Sequence, residues 1–108
     1  MKYINIIKSY LPSKEGKEAL ENLLFVLRES GVNVEIEEFS DETGRYSIAH
    51  STNLGNKEII TSGRSLEELD RNVKDAIFTI FKVPKYYVNF NLINSSLCPD
   101  KKLKYATS

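Results

Sequence analysis

The stretch TSGRSLEELDRNVKDAIFTIF, Thr61 to Phe81, decides how this chain folds. Its first residues close an extended run, and Gly63 ends it. Ser65 and Glu68 then stand at the S-x-x-E spacing of a capping box, in which each side chain serves a backbone N–H of the other. Leu66, Leu69, Val73, Ala76, Ile77 and Ile80 follow at three- and four-residue spacing, the apolar stripe of a helix that lies on something. Phe78 and Phe81 widen the stripe. Lys82 suits the negative end of the helix dipole, and Pro84 stops continuation. The stretch is a strand end, a stop and a docked helix. Asn72, midway, has no role that the sequence explains.

Upstream, the period is two. VNVEIEEF alternates Val32, Val34 and Ile36 against Asn33, Glu35 and Glu37, a strand with one apolar and one polar face. SDETGR supplies a turn at Asp41 and Gly44. YSIAH returns with Tyr46, Ile48 and His50 on one face, STNLGN turns again, and KEIITS is a third strand of an antiparallel meander. Further upstream, Ser13 caps a helix whose stripe is Ala19, Leu20, Leu23, Leu24 and Leu27, closed at Gly31. Lys2–Lys8 reads as a first strand. Downstream, KYYVNFNLI alternates Tyr86, Val88, Phe90 and Leu92 against Tyr87, Asn89 and Asn91, and reads as the last strand.

The predicted fold is α+β, a mostly antiparallel sheet with two helices on one face, in the order β-α-β-β-β-α-β. Residues 1–93 form one domain, and 94–108, turn-rich and without period, read as a flexible tail.

The chain has 108 residues and zero formal net charge, so no overall basic field draws it to nucleic acid or anionic lipid. From Ser13 to Glu42, nine acidic side chains against three basic ones leave six net negative charges, balanced by six net positive elsewhere. That band suits a basic partner or head-to-tail self-association. A single cysteine, Cys98, fits a reducing compartment, so a cytoplasmic location is expected. No apolar run reaches membrane-spanning length.

Chemistry is sparse. His50 is the only histidine and lacks further ligands for a metal site. The five glycines are isolated rather than phosphate-cradling. Glu37–Glu38 and Asp41–Glu42 read as a solvated hairpin rim. Base stacking on Tyr3 or Tyr87 is opposed by Glu35 and Glu37, which repel phosphate. No catalytic, metal or cofactor residue is assigned.

DETGRYSIAH and SGRSLEELDRNVKDAI resemble the HicB-like antitoxin domain, through Asp41, Gly44, Tyr46, Ala49, Gly63, Ser65, Leu66, Glu67, Glu68, Asn72, Ala76 and Ile77. YYVNFNLI resembles that fold's last strand. The resemblance covers about residues 32–93, with 2–31 as an N-terminal strand-helix addition. Where the family has a Pro-Gly-Cys-like segment, this chain reads STNLGNKEI, and no DNA-binding unit is evident after Ile93. The resemblance implies a partial ribonuclease-H-like sheet and a non-enzymatic, often self-associating module that covers a basic RNA-cleaving toxin. The partner-binding residues expected are Glu35, Glu37, Glu38, Asp41, Asn89 and Asn91. Two other readings stand beside this one: a phage or mobile-element inhibitor of a host defence nuclease, which would use the same domain, and a ferredoxin-like or ACT-like ligand-sensing or assembly domain, which the element order motivates. The last requires Lys2–Lys8 to lie centrally in the sheet; the HicB-like reading requires the three-strand meander.

Overall fold

The computed structural model describes residues 11–108. The strand expected at Lys2–Lys8 lies outside them. Helix α1 spans Lys14–Glu29, β1 Val32–Asp41, β2 Gly44–Ser51, β3 Ile60–Gly63, α2 Leu66–Ile80, β4 Ile93–Cys98 and β5 Lys102–Thr107. The five strands form one antiparallel sheet in the order β3-β2-β1-β5-β4. The α+β class and the two-helix, antiparallel-sheet plan follow the sequence reading.

Register assigns the faces. Val34 pairs with Ser51 and Leu103, Ile36 with Ala49, and Val32 with Tyr105, so these side chains share the inner face. Leu23 and Leu27 of α1 and Leu69, Val73, Ile77 and Phe78 of α2 bury against that face in one continuous core. Each helix has its predicted start: Ser13 Oγ accepts from the Gly16 N–H and Ser65 Oγ from the Glu68 N–H, both at 3.0 Å. Leu66, placed in the stripe by its spacing, stays 53% exposed because the first turn of α2 overhangs the core.

Two glycines sit where a side chain has no room. A Cβ on Gly63 would lie 2.5 Å from the Leu69 backbone nitrogen, so only glycine lets β3 turn this closely into α2. A Cβ on Gly16 would lie 2.6 Å from Pro84 Cγ and 2.9 Å from Tyr87 Cε2. There α1 packs on the segment after α2.

That segment corrects the predicted last strand. Tyr86–Ile93 does not extend. Lys85–Tyr87 and Phe90–Leu92 are single 3₁₀ turns, and only Ile93 begins a strand. The alternation misleads because both parities are used by the core. Tyr87, Val88 and Phe90 all pack on it, Phe90 stacking on Phe78 at 5.9 Å. The Tyr87 phenol accepts from the Ser13 N–H at 3.2 Å and donates to the Ser13 carbonyl at 3.1 Å. Asn89 Oδ1 accepts the Asn91 N–H at 3.0 Å, a local turn that competes with the strand.

The expected flexible tail is the second correction. Residues 93–107 form the β4–β5 hairpin, and β5 fills the position beside β1. Tyr105 is fully buried, and its hydroxyl donates to Asp70 Oδ1 of α2 at 2.9 Å. Asp70 also pairs with Lys74 at 3.1 Å. Burial first, then the Asp70 hydrogen bond, pushes the Tyr105 phenol far above its ordinary pKa. Among the described residues, the interior strands β2, β1 and β5 each have two neighbours.

Candidate functional site

The outer face of the sheet carries no helix among the described residues. Glu35, Glu37 and Phe39 lie along it on β1, because residues two apart share a face. Beside them on β2 are His50, Ile48 and Tyr46, paired with Glu35, Glu37 and Phe39 in turn. Lys102 of β5 stands across from Glu35 and Lys104 across from Asn33. The face reads as an acidic strand between an aromatic-aliphatic strand and a basic one.

Local geometry is specific. His50 Nε2 lies 3.6 Å from Glu35 Oε2 and 4.0 Å from Glu37 Oε1, between the two carboxylates. Phe39 and Tyr46 stack at 5.7 Å between ring centroids, 19° from parallel. Cross-strand aromatic pairs of this kind stiffen a hairpin. Ile60 extends the apolar part on β3 and is 67% exposed.

The structure gathers only part of the predicted set. Glu35 and Glu37 are together on the open face. Glu38 is on the opposite face of β1, where it pairs with Lys101 at 3.6 Å; one step along a strand reverses the side chain. Asp41 is at the hairpin turn and serves it. Its Oδ1 accepts the Thr43 hydroxyl at 2.6 Å and the Thr43 N–H at 2.8 Å. Those two bonds, with Arg64 nearby, hold the Asp41 carboxyl below its ordinary pKa. Asn89 and Asn91, expected on the sheet, are in the turn before β4. They are removed from the candidate surface because their segment is no strand.

Phe39, Tyr46, Lys102 and Lys104 belong to the surface and were not assigned to it from sequence. Phe39 has the parity of Glu35 and Glu37, so the signal was present. The lysines alternate with Leu103 and Tyr105 in KLKYAT, a period-two pattern hidden in the supposed tail.

Among the described residues, no group of three or more His, Cys, Asp or Glu side chains is placed to hold a metal ion. Nor is any helix there long and apolar enough to cross a membrane. Comparisons of the chain with models of protein families, with curated proteins and with solved structures found no match.

Proposed function

We propose that the chain is a non-enzymatic, HicB-like protein-binding module of the cytoplasm that inhibits a basic RNA-cleaving or other nuclease partner. The observation that carries this reading is the pair Glu35 and Glu37, side by side on an uncovered sheet face and flanked by the stacked Phe39 and Tyr46. An acidic strand with an aromatic anchor on one side and Lys102 and Lys104 on the other suits a protein face that sets its own cations against β1. Enclosure of a small substrate asks instead for a concave, mostly apolar site.

The meander supports the resemblance. β1 is hairpinned to β2 and β2 to β3, and the capped α2 follows, as the HicB-like reading requires. The resemblance now rests on residues 34–80, since its last strand is not at Tyr86–Ile93. Charge supplies the rest: a partner that grips RNA carries the lysines and arginines that an acidic strand attracts, and covering them blocks substrate.

Co-purification from the native lysate tests the reading. The expected result is a basic protein retained by the chain, whose RNA or DNA cleavage falls as the chain is added. Recovery of the bare chain, with no inhibition of a nuclease encoded beside it, would refute the reading.

A further inference from the structure

Among the described residues β4, Ile93–Cys98, with the sequence INSSLC, is an edge strand. Edge strands are commonly blunted by charge, proline, brevity or a covering element. The opposite edge has two of these: β3 is four residues long, and Asn72 of α2 donates to its Ser62 carbonyl. β4 is six residues long and carries no charge and no proline. Its next-to-last residue, Leu97, is 68% exposed although it points to the same face as the buried Ile93.

The strand is also a chemical palindrome. Ile93-Asn94-Ser95-Ser96-Leu97 reads apolar, polar, serine, polar, apolar in both directions. In an antiparallel pair, opposed residues share a face. A two-fold axis between two copies of β4 must therefore pass through a residue, not between residues. Centred on Ser95, it sets Leu97 opposite Ile93 of the second copy on the inner face, Ser95 opposite itself, and Asn94 opposite Ser96 on the outer face. Centred on Ser96, it sets Ser95 against Leu97 and brings Pro99, which has no N–H, opposite Ile93. Centred on Leu97, it sets Pro99 against Ser95. Only the first register matches every pair.

We propose that β4 pairs antiparallel with β4 of a second copy of this chain, centred on Ser95, so that two five-stranded sheets join into one. Such a contact is isologous and closed, so it stops at a dimer. It keeps both helix layers on the same side of the joined sheet. It also covers Leu97, which with Ile36 and Leu66 lines a hollow of about 330 Å³ beyond the end of the core. The hairpin lies outside the region of family resemblance, and the proposal does not depend on the nuclease partner. A five-residue overlap is at the small end of specific interfaces, so the dimer forms in a concentration-dependent way.

Sedimentation equilibrium of the full chain, alone and up to high micromolar concentration, is the test. The expected result is a reversible monomer–dimer equilibrium. Leu97→Lys, at an exposed position, is expected to weaken it by about tenfold or more while circular dichroism stays unchanged. In a Cys98→Ser background, Ser95→Cys is expected to cross-link two copies under mild oxidation, because facing residues sit about 4.5–5.5 Å apart. Ser96→Cys is not, because its copies are offset along the strands. A monomer at every concentration would overturn the proposal, whether the edge is left open or taken by another segment. So would a dimer indifferent to Leu97→Lys, or cross-linking through Ser96→Cys in place of Ser95→Cys.

Discussion

The side-chain amide of Asn72 donates to the main-chain carbonyl of Ser62 at 2.7 Å. This bond ties the middle of α2 to the edge strand β3. It gives a physical role to the one residue of Thr61–Phe81 that periodicity and capping leave unexplained. β3 is short and exposed, and a helix-borne donor replaces part of the ladder that an edge lacks. Asn72→Ala is expected to lower global stability by about 1 kcal/mol in urea titration. Hydrogen exchange should accelerate first at Ile60–Gly63. Unchanged protection there would remove Asn72 from this role.

Tyr105 predicts an alkaline limit. Its phenol is held protonated in the folded chain, while in the unfolded chain it ionises near its ordinary value of about 10. The folded pKa is the higher one, so the contribution is complete below the unfolded value. It is lost as pH rises from there toward the folded pKa. Between the two values, stability should fall with the slope of one proton. Tyr105→Phe should remove that slope, at a cost near neutral pH of about 1 kcal/mol for the lost bond to Asp70. Parallel alkaline slopes for the two proteins would contradict this account.

Gly16→Ala opposes local propensity to packing. In an open helix the change stabilises by about 1 kcal/mol. Here the new methyl meets Pro84 and Tyr87 at under 3 Å. The expected net effect is a loss of about 1–3 kcal/mol, read as a lower thermal midpoint. A raised midpoint would show that α1 does not press on the 3₁₀ segment.

These residues also mark what the sequence made legible. Local devices were readable: the Ser13 and Ser65 caps, the stripes of Leu23–Leu27 and Leu69–Ile77, and the alternation of Val32, Val34 and Ile36 all specify their elements within a few residues. Tyr86–Leu92 was not, because a period of two is shared by strands and by chains that bury both parities around tight turns. The β4–β5 hairpin was hidden by its turn. Asp100 and Lys101 take positive φ, 65° and 57°, without the glycine that usually announces it. Two of the four unassigned surface residues followed from this miss, since Lys102 and Lys104 arrive only with β5. Glu38 was misplaced by the simplest rule of the strand, that neighbours face opposite ways.

The central claim is that Glu35 and Glu37 on the open face receive a basic partner. The most direct measurement is the dissociation constant between that partner and the chain, native and with Glu35→Lys and Glu37→Lys together, in low and moderate salt. Both positions are on a solvent-facing strand surface, and the fold is expected to survive the changes. The account predicts an affinity loss of about 100-fold or more for the double variant and weaker binding of the native chain as salt rises. Equal affinity of the two chains, or binding indifferent to salt, would contradict it.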